Sequence, residues 1–363
     1  LEPTLPERIY LDHAATTAIR PEAAAAVTEG MKRWANPSSP HAEGRAARAA
    51  LEDARARIKT ALGWDGELIF TSGASEAIAM ALARAKGGRR LISAIEHDSV
   101  ALAAPDALVF PMTGGVPGDA LAELISRNER PVVALQHVNS ETGNWQCIEA
   151  VAELVRPANG LLVCDCAQSA GKDELPNADM IIVSAHKLGG PPGIGALLVR
   201  DRGMLEPSGG QEFGYRRGTE NLPGALGFAA ALEAPGQLRE YRVSEQFDQP
   251  ITDLVDAVCE SGGQVVDAGA PTSMFIGAYA MPSLSAEAQL VHFDLAGFAV
   301  SAGSACSSGS LKSSRTLAAL GIPEDVAARS IRMSIGWSTT PAEIDAFREA
   351  WLRIATGAKA RAA

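Results

Sequence analysis

The stretch Met180-Ile-Ile-Val-Ser-Ala-His-Lys187-Leu-Gly-Gly-Pro-Pro-Gly-Ile-Gly195 decides how the chain is read. Met180 to Val183 is a short apolar run bounded by turn residues, the pattern of a buried strand. Ser184, Ala185, His186 and Lys187 stand at its end, followed by a glycine- and proline-rich turn and a second apolar run, Ala196 to Val199. This places a lysine amine at the edge of a sheet, on a turn shaped by backbone. Most lysines lie on solvated faces. Ser-x-His-Lys directly behind a buried strand is a poor setting for that, whereas a desolvated lysine near other donors is how proteins prepare an amine for Schiff-base chemistry.

Outward from this stretch, strands and helices alternate. Leu68 to Thr71 reads as a strand, Ser72-Gly-Ala-Ser-Glu76 as a tight turn, and Ser75 to Ala85 as a helix. A strand, small-residue turn and helix N-terminus make an anion site, although Ser-Gly-x-Ser is equally an ordinary helix cap. Arg90 to Ala94 is a strand ending at Glu96-His97-Asp98-Ser99, and Leu108 to Phe110 is another. Asp119 to Asn128 is a helix with an aspartate cap, and Val132 to His137 a strand ending in Val138-Asn-Ser-Glu-Thr-Gly143. Cys147 to Val155 is a helix, and Leu161 to Cys166 a strand holding Asp165. This order predicts an α/β fold with a mainly parallel sheet and helices on both faces. Ligands of such sheets bind beyond the carboxyl ends of the strands, where Ser72-Gly73, His97, Asn139, Asp165 and Lys187 fall.

Before this region come the extended segment Ile9 to Thr17, a helix from Pro21 to Arg33, and an alanine-rich helix from His41 to Leu62 stopped by Gly63. After it, Gly209 to Asn221 is a long polar loop, and long loops are often functional. Helices are expected over Pro223–Glu233, Arg239–Glu260, Ala286–Leu295 and Pro341–Ala355, and strands at Val265-Val266, Met274–Ala278 and Ile331–Ser334. The expected division is a large domain over 15–236 and a smaller α+β domain formed by 1–14 and 237–363.

The 363 residues are 47% hydrophobic and 21% charged, with net charge −11 and no long basic run, which argues against nucleic-acid binding. No apolar run reaches the roughly 20 residues that span a bilayer, so no membrane association is expected. The start is polar and proline-broken, unlike a signal peptide. Five cysteines, an odd number without repeated spacing, argue against a disulfide framework and fit a reducing cytoplasm. Cys164-x-Cys166 is too short a motif for a metal site, and no metal is expected.

Pyridoxal phosphate (PLP) would tie these residues together. Its aldehyde needs a lysine, and its pyridine nitrogen needs a carboxylate that keeps it protonated. Lys187 meets the first need. Asp165, on a strand where an unpaired carboxylate is costly, meets the second. Gln168 reaches the ring hydroxyl. Gly73, Ala74, Ser75, Ser184 and His186 form a phosphate cup, and His97 stacks on the ring.

The chain resembles the cysteine desulfurases of the PLP-dependent class V aminotransferase superfamily, in the NifS/IscS-like group with the long cysteine loop. The matching stretches are Tyr10-Leu-Asp-His-Ala-Ala-Thr-Thr17, Asn36-Pro-Ser-Ser39, Phe70-Thr-Ser-Gly-Ala-Ser-Glu76, Glu96-His97-x-Ser-Val100 and Asp165-Cys-Ala-Gln168. Further on come Ser184-Ala-His-Lys187, Gly209-Gly-Gln-Glu212, Arg217-Gly-Thr-Glu-Asn221, Ser301-Ala-Gly-Ser-Ala-Cys306 and Ile331-Arg-Met-Ser334. Each motif alone is weak; their order over nearly the whole chain is specific.

The resemblance implies the PLP-dependent transferase fold (fold type I) with a seven-stranded sheet. It implies that Lys187 binds PLP covalently, that His97 stacks on the ring and assists proton transfer, and that Asp165 and Gln168 hold the ring nitrogen and oxygen. Ala74, Ser75, Ser184 and His186 would hold the phosphate. Thr219 would reach the phosphate of a neighbouring subunit, which implies a homodimer. Arg332, with Asn139 and Ser140, would bind the substrate carboxylate and its surroundings. Cys306 would take the sulfur of L-cysteine as a persulfide, leaving alanine, for an acceptor protein of iron–sulfur cluster assembly or tRNA thiolation. Ser140 departs from the family, which has asparagine there. Cys164 stands where many members have histidine, and Ile78 and Ala79 replace polar residues. Competing readings are another class V reaction, aminotransfer or selenocysteine lysis, and a PLP-binding sulfur-transfer scaffold of weak activity.

Overall fold

The computed structural model describes residues 8–236, 245–302 and 314–362. Its centre is a seven-stranded sheet of β2 (Glu67–Thr71), β3 (Arg90–Ser93), β4 (Leu108–Phe110), β5 (Val132–Gln136), β6 (Leu161–Asp165), β7 (Met180–Ser184) and β8 (Gly195–Val199). The spatial order is β2-β8-β7-β6-β5-β3-β4. The pairs β3/β4, β3/β5, β5/β6 and β6/β7 are parallel, while β8 runs antiparallel to both β7 and β2. Every residue of β5, β7 and β8 is buried. That explains why these strands read as unbroken apolar runs rather than alternating ones.

Helices cover both faces. On one, Leu51, Ala54 and Ile58 of α2 (Ala42–Leu62) join Phe228 and Leu232 of α7 (Leu222–Glu233) in a core with Val133, Leu162 and Val183. On the other, Ala77, Ile78 and Ala81 of α3 (Ala74–Arg84) pack on Ile69, Ile182 and Leu197. The small side chains of α2 let α7 lie close against it. His41 Nδ1 accepts the Gly44 N–H (3.2 Å) at its start, and Gly63, at φ +65°, ends it in the left-handed conformation.

A second core lies beside the sheet. Strands β9 (Gln264–Val265), β10 (Ile276–Ala280) and β12 (Ser330–Ser334) form an antiparallel sheet in the order β12-β10-β9. Helices Asp248–Glu260, Ala286–Leu295 and Pro341–Ala362 supply Leu254, Phe293, Phe347 and Trp351, with Phe293 and Phe347 stacked at 4.8 Å. Leu11 and Ala14 also belong to this core, and β1 (Ile9–Tyr10) pairs in parallel with β11 (Phe298–Ala299).

Several boundaries differ from the sequence expectation. The helix expected at Asp119 begins at Gly118 after Pro117, and no side chain caps it. The strand expected at Met274 is Ile276–Ala280, because its register is fixed by pairing Ile276 with Ser334 and Ala280 with Ser330. A short helix, α4 (Asp98–Ala103), follows His97 directly, and the final helix continues to Ala362. Part of the helix expected from Arg239, and Cys306 itself, lie outside the described residues.

Candidate active site

The carboxyl ends of the parallel strands open onto one cavity of about 450 Å³. Asp165 ends β6, Ser184 ends β7, and a short helical turn, Ala185–Lys187, carries His186 and Lys187 into the same space. Ala74 and Ser75 enter from the start of α3, His97 from the start of α4, and Gln168 and Ser140 from loops beyond β6 and β5. These residues, all singled out from the sequence, line one cavity together with Gly73.

Lys187 Nζ donates to the main-chain carbonyl of Ala14, and Gln168 Nε2 donates to the same oxygen at 3.0 Å. Gln168 is buried, and its Oε1 has no hydrogen-bond partner among the described residues. Such an orphaned acceptor is costly unless a ligand satisfies it. Asp165 Oδ1 accepts the Ala167 N–H at 2.9 Å. Burial pushes its carboxyl above the ordinary range, opposed by the Ala167 N–H and by the charges of His97 and Lys187. A cationic ring nitrogen beside it would offset that desolvation. His186 Nδ1 lies 3.1 Å from Thr16 Oγ1, and burial, then the Lys187 charge, pushes its imidazole down to about 4, leaving it neutral.

One end of the cavity is built by backbone. Gly73, at φ +152°, stands before the first turn of α3, and no side chain caps that turn. Its N–H groups and the positive end of the helix dipole are therefore available to an anion. Gly195 on β8 lets the Gly73 turn pack close to the sheet: a Cβ there would lie 2.8 Å from Gly73 Cα and 2.6 Å from the Val183 carbonyl oxygen. The cavity thus offers an amine, a buried carboxylate, an unmatched ring-side acceptor, an imidazole and an anion cup, which is the donor set that PLP requires.

Three expected residues stand elsewhere. Asn139 is buried, and its Oδ1 accepts from the N–H groups of Glu141 (2.9 Å) and Thr142 (3.0 Å) and from Thr142 Oγ1 (3.2 Å). It shapes its own turn and does not line the cavity. Arg332 donates from Nη1 to the Ser140 carbonyl (2.8 Å) and from Nη2 to Asp12 Oδ1 (2.7 Å), while its buried Nε has no partner among the described residues. Thr219 is exposed, away from the cavity of its own chain.

Sequence reasoning passed over other members. Ala15 and Gln136 line the cavity, and Ala14 contributes only its carbonyl, which no side-chain pattern signals. Glu212, in the loop after β8, is buried in a fork–fork pair with Arg55: Nη1 to Oε2 at 2.8 Å and Nη2 to Oε1 at 2.9 Å. Its Oε2 also accepts the Phe70 N–H at 2.8 Å. The positive φ angles of Glu212 (48°) and Phe213 (58°) are held by this pairing.

Fold and cavity together define a lysine-dependent PLP enzyme built on an α/β sheet. A model of the aminotransferase class-V family matches residues 9–347, and the chain belongs to that family, whose members use PLP. The chain is 33% identical to cysteine desulfurase IscS of Dictyoglomus turgidum, over 93% of this chain and 92% of that one. It is 35% identical to a cysteine desulfurase of Cereibacter sphaeroides, over 94% of each. Among solved structures, a NifS-like protein from Rickettsia africae superposes with TM-score 0.83 at 30% identity, covering 96% of this chain and 99% of that one. Another, SspA in complex with cysteine, superposes with TM-score 0.73 at 26% identity, covering 90% and 98%.

Proposed function

We propose that this chain is a cysteine desulfurase that takes the sulfur of L-cysteine, releases L-alanine and holds the sulfur as a persulfide on Cys306. The observation that carries the reading is the meeting of Lys187, Asp165, Gln168 and His97 with the uncapped start of α3 in one cavity. PLP, when bound, supplies an electron sink for the bond-breaking at the substrate. Lys187 would hold its aldehyde, and the same amine would serve as the base that takes the proton from the substrate Cα. Asp165 would keep a proton at the ring nitrogen, Gln168 would hold the ring oxygen, and His97 would stack on the ring. Ala74, Ser75, Ser184 and His186 hold the phosphate.

Sulfur transfer is redox-neutral. The Cys306 sulfur attacks the substrate sulfur, the substrate C–S bond breaks, and its electron pair ends as a C–H bond of alanine. The new S–S bond leaves the persulfide. Cys306 lies outside the described residues, and its role rests on the motif Ser301-Ala-Gly-Ser-Ala-Cys306; the described residues on either side of Cys306 are each tied by hydrogen bonds. Ser301 exchanges main-chain hydrogen bonds with Arg332, and Ser314 Oγ donates to Glu141 Oε2 at 2.6 Å. Arg332 and Ser140 are proposed to govern the substrate carboxylate, with Asn139 holding the turn that carries Ser140; the Arg332–Asp12 pair then has to yield to the substrate.

We further propose a homodimer in which Thr219 of one protomer reaches the other's phosphate, and a cytoplasmic protein that passes sulfur to an iron–sulfur scaffold or a tRNA-thiolation enzyme. The exposed Thr219 supports the first. Among the described residues, no helix is long and apolar enough to cross a membrane. The test is to mix the PLP-loaded protein with L-cysteine and a reductant. Sulfide and alanine are expected in equal amounts, and Cys306→Ala is expected to keep the coloured cofactor and lose sulfide release. Transamination that survives Cys306→Ala would overturn the reading.

A further inference from the structure

The segment just before His97 is a hub of hydrogen bonds. The Ile95 carbonyl accepts from the side-chain amides of Gln136 and, at 3.5 Å, Asn139. The Glu96 carbonyl accepts from Arg315 Nη2 at 3.0 Å. The Glu96 carboxyl is buried, and its Oε1 accepts from Ser93 Oγ (2.5 Å) and from the Gln136 N–H (2.9 Å). It therefore joins the ends of β3 and β5 across the sheet at the point where His97 leaves it. His97 Nδ1 accepts the Ser99 N–H (3.2 Å) and lies 2.7 Å from Ser99 Oγ, so the ring is tied to the residue two places on while the bonds of Ile95 and Glu96 anchor the backbone that leads into it.

Glu96 Oε2 is buried without a hydrogen-bond partner among the described residues. An ionised carboxylate in that position would leave charge on a desolvated oxygen with nothing to meet it. The titratable groups facing it are Asp165, His97 and the thiol of Cys164, and among the described residues no lysine or arginine side chain pairs with its carboxyl. Burial, reinforced by Asp165, pushes the Glu96 carboxyl up to about 8, against the pull of Ser93, the Gln136 N–H and His97.

We propose that Glu96 is a positioning residue that fixes His97 at the cavity, and that it does so as an uncharged acid. The inference rests on the proposed role of His97 at the cofactor ring. An uncharged amide of the same shape should replace it, whereas a truncated side chain should let the start of α4 drift.

The experiment compares Glu96→Gln and Glu96→Ala in the PLP-loaded enzyme with L-cysteine. Glu96→Gln is expected to lower kcat by no more than about threefold, and Glu96→Ala by about 10- to 100-fold with a smaller change in KM. Glu96→Ala is also expected to change the visible circular dichroism of the bound cofactor. Equal losses in the two variants, or a folded Glu96→Ala protein with unchanged kcat and dichroism, would overturn the proposal. A second measurement uses the cofactor-free protein and keeps the test open if Glu96→Ala does not fold. A carboxyl whose folded value is raised adds stability that is complete below its unfolded value of about 4.5 and is lost as pH rises to about 8. Wild type should lose stability across that window relative to Glu96→Gln; parallel curves would contradict the uncharged acid. A protein that binds no coloured cofactor defeats the proposed function, while this pH comparison still decides the state of Glu96.

Discussion

Lys187 and Gln168 donate to one acceptor, the main-chain carbonyl of Ala14. Ala14 belongs to the core of the smaller sheet, yet its carbonyl meets the two side chains that the larger sheet presents to the ligand. The Lys187 amine and the Gln168 amide are thus registered by a segment near the start of the chain. Gln168→Leu keeps the volume but removes that donor and the buried Oε1. PLP retention is expected to fall about tenfold, as for loss of one ligand hydrogen bond. Equilibrium dialysis of the coloured protein measures it.

Gly195 sits under the anion cup. Gly195→Ala drives a methyl group against Gly73 Cα and the Val183 carbonyl. Backbone cannot yield as a flexible side chain can, so the turn before α3 has to move. The expected result is weaker binding of PLP, by about tenfold or more, and of inorganic phosphate in the cofactor-free protein. Titration calorimetry with each ligand checks it.

Glu212→Ala leaves the Arg55 guanidinium buried without its fork–fork partner and the Phe70 N–H without its acceptor. Breaking a buried pair from one side costs on the order of 3–5 kcal/mol. Urea unfolding should register a destabilisation of that order. Adding Arg55→Met should recover part of it.

Lys172 is buried beside Lys187 in a cavity of about 10 Å³, room for about one water. Burial, and next the Lys187 charge, pushes its ammonium from 10.5 down to about 7. Between pH 7 and 10.5 the unfolded chain binds the proton that the folded chain has released. This residue therefore makes stability rise with pH over that window, by up to ~1.4 kcal/mol per pH unit. Lys172→Met should be more stable than wild type at pH 7, and its advantage should shrink toward pH 10.5. Thermal melts across that range measure the difference.

The sheet was legible because its strands are buried on both faces and bracketed by turn residues, as Met180–Ser184 and Val132–Gln136 are. The residues meeting at the cavity were legible for the same reason: strand ends fix where side chains such as Asp165 and Lys187 emerge. What stayed hidden depends on contacts distant in sequence. The pairing of Ile9 with Phe298 involves strands too short to carry a period. Arg55 and Glu212 look like surface charges until the fold brings them together. Asn139 is the reverse case: it stands in the expected loop, but a three-fold acceptor role within that turn takes its side chain out of the cavity.

The most direct test of the account is to reduce the PLP-loaded protein with borohydride, digest it, and locate the pyridoxyl group by peptide mass spectrometry. The prediction is a single modified site, Lys187, with Lys187→Ala losing both that label and sulfide release from L-cysteine. A label on another lysine, or none in a protein that still releases sulfide from L-cysteine, would contradict it.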